Sequence, residues 1–151
     1  MRVFLAGVMQ GIRTDNQIDD QTYRQRIAAA LSQHAPGVQI TDPWALNPNS
    51  VQYDEARARH TFLTMTRKAK ESDLLIAYLP RPSMGTAMEM WEAFNAGLYI
   101  IAVTPYVHHW AVRFTANEIL PDLETLLAEI ENGRIPQLLH QRTVDAPSIA
   151  D

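Results

Sequence analysis

The segment Ser83-Met84-Gly85-Thr86-Ala87-Met88-Glu89 carries the residue types best spaced for chemistry, a hydroxyl at its start and a carboxylate six residues on. It follows a short apolar, partly branched run, Leu74 to Leu79, which Pro80 and Pro82 prevent from continuing as a helix. Ser83 and Gly85 supply a turn, and Thr86 is expected to begin a helix that carries Glu89 one turn in. A helix start presents unpaired backbone N–H groups and a partial positive charge, so it favours a phosphate or a developing anion, and Glu89 is placed beside such a ligand. An acid in a first turn also complements the dipole with no ligand at all. The residues beyond Glu89 favour a site: Ala93, Ala96 and Gly97 let a helix lie close on a sheet, and Tyr99 to Val103 reads as another buried strand. This is a strand-loop-helix-strand unit with its loop at the strand's carboxyl end.

The rest of the chain supplies the elements that must position this loop. Val3 to Ala6 reads as a first buried strand, ending at Gly7 and a polar loop from Met9 to Asp20 long enough to be functional. Tyr23, Ile27, Ala28, Ala30 and Leu31 recur at helical spacing, and Pro36-Gly37 ends that helix. Val38 to Ile40 is a second strand, followed by a Pro- and Asn-rich stretch from Thr41 to Ser50 that predicts an extended loop. A helix is expected from about Tyr53 to Glu71, and a last amphipathic helix from Pro121 to Asn132, with Leu123, Leu126, Leu127 and Ile130 on one face. Such alternation predicts an α/β fold, a flavodoxin-like three-layer sandwich with a parallel sheet of about five strands. One domain over residues 1–136 and an irregular tail over 137–151 are expected. In such folds ligands bind at the carboxyl edge of the sheet. Three polar groups then converge there: Gln10, Arg13 and Asp15; Asp42, Trp44 and Asn47; Ser83, Thr86 and Glu89.

Composition narrows the classes. The chain has 151 residues, 46% of them hydrophobic, which suits one domain with a proper core. A formal net charge of -4 and no Lys/Arg cluster argue against a bulk nucleic-acid surface. No Cys is present, which excludes disulfides, thiolate catalysis and Cys-ligated zinc. His108-His109 point in different directions and no acid lies at metal-binding helical spacing, so neither a metal nor a cofactor is expected. No apolar run approaches a membrane span, the opening MRVFLAG is too short in apolar length for a signal peptide, and a cytoplasmic setting is expected.

Two segments resemble the nucleoside 2-deoxyribosyltransferase superfamily, which includes 2'-deoxynucleoside 5'-monophosphate N-hydrolases. The first is Phe4-Leu5-Ala6-Gly7-Val8-Met9-Gln10-Gly11-Ile12-Arg13-Thr14-Asp15, similar to the strand and glycine loop that open the monophosphate hydrolases. The second is Ser72-Asp73-Leu74-Leu75-Ile76-Ala77 leading into Ser83 to Glu89. The resemblance implies that Glu89 is a nucleophile that attacks C1' of the sugar and expels the base. An oxocarbenium-like state explains the residue type, since a carboxylate stabilises that positive charge and then traps it covalently. Water completes a hydrolysis, and a second base completes a transfer. Transferases of free nucleosides usually carry Asp at the position of Ser83, where it grips the 5'-hydroxyl. A serine instead donates to phosphate, with backbone N–H groups at Gly85 and Thr86 and with Arg13, which points to 5'-monophosphates. Ser83 is equally suited to be a helix cap, and Arg13 to be a solvated loop cation.

The family's sugar-orienting aspartate falls here on Met65. Either Asp42, Asp54 or Asp15 takes its place, or protonation of the leaving base relies on water, or the activity differs from the family's; Asp42, at a strand end, is the best positioned, and is equally a turn-forming Asp-Pro residue. Trp44 is the candidate base-stacker. Trp91 is expected to pack within or between subunits, and Trp110 to Phe114 to shape a neighbouring subunit's site in a homodimer or higher homo-oligomer. The alternative to an enzyme is a non-catalytic nucleotide-binding module.

Overall fold

A computed structural model describes residues 1–135, 137 and 138. Five parallel strands, β1 (Arg2–Gly7), β2 (Gln39–Thr41), β3 (Leu74–Tyr78), β4 (Tyr99–Val103) and β5 (Glu118–Leu120), form one sheet in the order β2-β1-β3-β4-β5. Their register sets Gly7 opposite Tyr78, Tyr78 opposite Val103 and Val103 opposite Leu120, so these strand ends form one level edge. Successive side chains alternate between faces. Val3, Leu5, Leu74, Ile76 and Ile101 meet Tyr23, Ile27 and Leu31 of α1 (Thr22–His34) and Leu126 and Ile130 of α6 (Leu123–Glu131). On the other face Phe4, Ala6, Leu75, Ala77, Ile100 and Ala102 meet Ala69 of α3 (Glu55–Ala69) and Met90 and Ala93 of α4 (Met84–Asn95).

Side-chain caps fix where the helices begin. Asp54 accepts from Arg57 N–H, Ser83 from Thr86 N–H and Asp122 from Thr125 N–H. Helix α4 therefore starts at Met84, two residues earlier than expected, with Gly85 inside its first turn. Gly97, with φ of 72°, then turns the chain back into β4.

Four elements depart from the sequence reading. The stretch after β2 is not extended: Asp42 accepts from Trp44 N–H and Pro43 takes the first helical position, giving a one-turn helix α2 (Pro43–Leu46), followed by a 3-10 turn at Ser50–Gln52. A short helix α5 (Trp110–Arg113) and the three-residue β5 lie between β4 and α6. The expected tail lies outside the described residues apart from Gln137 and Leu138.

Candidate active site

Because β2 and β3 flank β1, their connections leave β1 and β3 toward opposite faces, opening a crevice at the carboxyl edge between them. Helix α4 brings Glu89 to this crevice and α1 brings Tyr23 and Arg24. The three are buried, with 7% exposure left at Glu89 and 1% at Arg24.

Arg24 organises the floor. Its Nε donates to Gln21 Oε1 (2.7 Å), Nη1 donates to Leu5 O (2.7 Å) and Asp42 Oδ1 (2.8 Å), and Nη2 donates to Gly7 O (3.1 Å). Tyr23 Oη donates to Val8 O at 3.3 Å, and its ring packs on Tyr78 with centroids 4.4 Å apart. Burial pushes the Tyr23 phenol above its ordinary range, so it stays a neutral donor.

Glu89 is the one acid of this cluster left without an ion pair among the described residues; Arg24 pairs with Asp42 instead. Burial pushes the Glu89 carboxyl up to about 8, with Arg24 pulling it down and Asp42 pushing it further up. A desolvated carboxylate held by no donor is a reactive one, and perturbed acids of this kind gather at functional sites.

The candidates read from sequence fall into two sets. Gly7, Asp42 and Glu89 come together around Arg24. Ser83 and Thr86 sit together at the start of α4: Ser83 Oγ accepts from Thr86 N–H (3.3 Å) and from Thr86 Oγ1 (3.0 Å). Both contacts use oxygen lone pairs, which leaves the Ser83 O–H free to donate. A Cβ at Gly85 would meet only Phe62, at 3.9 Å, so the backbone there is open to approach. Asp42 is at once the cap of α2 and the partner of Arg24, whereas Met65 is half-buried on α3. Arg13 is not a free cation. It donates to Asp15 through Nε (2.6 Å) and Nη2 (2.5 Å), and it lies 3.8 Å from Asp19, which Arg81 also pairs at 2.6 Å. Gln10 is exposed, with its carbonyl closing a turn to Arg13 N–H, and Trp44 is half-buried on α2.

Beside the crevice an apolar cleft of about 370 Å³ runs between α4 and the β4–α5 connection, bounded by Ile12, Ser83, Ala87, Met90, Thr104 and His109. Among the described residues no His, Asp and Glu side chains gather closely enough to hold a metal ion.

Arg24, Tyr23 and Gln21 are absent from the sequence-derived candidates. A signal for Arg24 exists: with Ile27 and Leu31 it repeats at helical spacing, so a charge occupies the buried stripe of α1.

The strand order and the crevice between β1 and β3 define a flavodoxin-like doubly wound domain. Among solved structures this fold is shared with a 2-deoxyribosyltransferase from Bacillus psychrosaccharolyticus (TM-score 0.62, 13% identity, 84% of this chain and 90% of that one). A CMP N-glycosidase from Clostridium botulinum (0.52, 21%, 87% and 99%) and a conserved protein from Enterococcus faecalis (0.59, 17%, 87% and 98%) share it too. At such identities the likeness is one of fold. No protein-family model matches the sequence, nor does any curated protein sequence.

Proposed function

We propose that this protein belongs to the nucleoside 2-deoxyribosyltransferase superfamily and cleaves the N-glycosidic bond of (deoxy)nucleosides or their 5'-monophosphates, with Glu89 as nucleophile. The observation that carries this is Glu89 itself: buried at the crevice, free of any ion pair among the described residues, and one helical turn from the start of α4. Its carboxylate forms a bond to C1' as the C1'–N bond breaks. The base leaves with the electron pair and takes up a proton. Water or a second base then attacks C1' and releases Glu89. Incubation with ribo- and deoxyribo-nucleosides and 5'-monophosphates, with and without an acceptor base, tests this by chromatography of released or exchanged base.

One observation favours a binding module without turnover. Met65 supplies no acid, and Oδ1 of Asp42, its best substitute, is committed to Arg24 and to the α2 cap. Nucleotide binding with no base release from any member of the panel would establish that reading instead.

The free O–H of Ser83 supports recognition of a 5'-phosphate beside the α4 N-terminus. Ser83→Asp separates the two roles of this residue, because Asp caps a helix as well as Ser but repels phosphate. Its Tm is expected to match wild type within about 3 °C, while kcat/KM for 5'-monophosphates falls about 100-fold and that for free nucleosides holds or rises. An equal loss on both substrate types would remove the phosphate from Ser83.

The outer face of α4 supports association of copies of this chain. Met84, Met88, Trp91 and Phe94 are 85%, 46%, 55% and 45% exposed, and Phe62 of α3 adds to the same surface. An apolar stripe of this kind is normally covered. Trp91→Glu is expected to shift the protein to monomer in sedimentation or light scattering, with far-UV CD unchanged; a wild type that is already monomeric at about 100 μM would refute the proposal.

A further inference from the structure

We propose that Arg24 is the positioning residue of this site: one buried guanidinium ties the end of β1 to the Asp42 carboxylate and holds both in fixed relation to Glu89. The inference rests on the reading of Glu89 as the nucleophile.

A guanidinium has five N–H donors in a rigid fork, and four of them are committed here. The acceptors come from three places: Gln21 just before α1, Leu5 and Gly7 of β1, and Asp42 at the β2–α2 junction. A charge this deeply buried persists only when it is paired and bonded, and losing any acceptor leaves part of it uncompensated. A lysine ammonium is a single point with three donors and cannot span the same acceptors.

The pair also sets the electrostatics of the nucleophile. The charged groups felt by Glu89 are Arg24 from α1 and Asp42 from the β2–α2 junction. Tyr23 of α1, stacked on Tyr78 of β3, is a titratable neighbour that stays neutral. Arg24 favours ionised Glu89 and Asp42 opposes it, so removing one or the other moves the Glu89 titration in opposite directions.

The test is a 13C carboxyl titration of Glu89 in the full chain, its resonance assigned by its loss in Glu89→Gln. Arg24→Met is expected to raise the midpoint by about one pH unit and Asp42→Asn to lower it by about one. Arg24→Lys, which keeps the charge, leaves the midpoint within about half a unit of wild type but loses about 10- to 100-fold in kcat, because the fork is gone. If Arg24→Met does not fold, the Asp42→Asn and Arg24→Lys results decide. A midpoint unmoved in Asp42→Asn, or in a folded Arg24→Met, overturns the proposal, as does full kcat in Arg24→Lys. The titration needs no turnover, so the two readings fail separately. A wild type inactive on every substrate removes the nucleophile, whereas an active wild type with an unmoved midpoint removes the role of Arg24.

Discussion

Glu89→Gln is expected to abolish base release, by about 10³-fold or more, while raising the stability of the fold at alkaline pH. The two effects have one cause. With the carboxyl pushed up to about 8 by burial, folded wild type holds a proton that the unfolded chain gives up near the ordinary glutamate value. The folded state therefore binds more protons between those two pH values. The stability contributed by the neutral acid is full below the unfolded pKa and is lost as pH rises through about 8. The full span corresponds to about 5 kcal/mol as an upper figure. Glutamine keeps the neutral shape and has no proton to lose. The Tm of the variant is thus expected to exceed that of wild type by about 10 °C at pH 9 and to differ little at pH 5. Activity follows the opposite sign, since attack needs the ionised carboxylate: kcat/KM of wild type rises with pH toward a plateau above about 8. Paired melting curves and pH–rate profiles check both. Equal Tm values at pH 9 would mean that Glu89 ionises without penalty in the fold.

Gly7→Ala is the second large effect, and it comes from packing. A Cβ on Gly7 would lie 2.3 Å from Tyr23 Oη and 2.9 Å from Cζ, well inside contact distance. The ring has nowhere to retreat. It is 7% exposed, packed on Tyr78, and its hydroxyl donates to Val8 O. β1 cannot yield either, because Gly7 O accepts from Arg24. Overpacking of this kind costs about 2–3 kcal/mol. Tyr23→Phe removes the oxygen but not the ring carbon, so the double variant recovers part of the loss and the two changes are coupled in a double-mutant cycle. Gly85→Ala is the control, since its new methyl meets nothing closer than 3.9 Å. Urea denaturation of wild type and the four variants reads the result; equal stabilities for Gly7→Ala and Gly85→Ala would contradict the packing.

The layers of this fold were legible because each long element repeats its period clearly. β1 from Val3 onward, β3 and β4 are unbroken apolar runs, α1 and α6 show apolar stripes, and right-handed crossovers leave few strand orders. What escaped is short. The three residues of β5 and the single turns of α2 and α5 offer no period, and they form because Asp42 caps one turn and β4 provides a ladder for Glu118–Leu120. In the site, Glu89 was readable because a strand, a turn and small residues surround it in sequence. For Arg24 the only sequence signal is a charge in the buried stripe of α1; its role is not readable, because three of its four acceptors, two strand carbonyls and an aspartate, become neighbours only after the sheet has formed. Arg13 reads as a loose cation until the loop folds and returns Asp15 and Asp19 to it.

The outermost strands of the sheet, β2 and β5, have three residues each. So short an edge exposes too few unpaired amide and carbonyl groups to template the growth of another chain's strand. Glu118 adds a charge on one of them, held by Arg134 at 2.9 Å. Edge-to-edge pairing of sheets is thereby disfavoured on both sides, while the longest, most apolar strands, β1, β3 and β4, lie in the middle of the sheet.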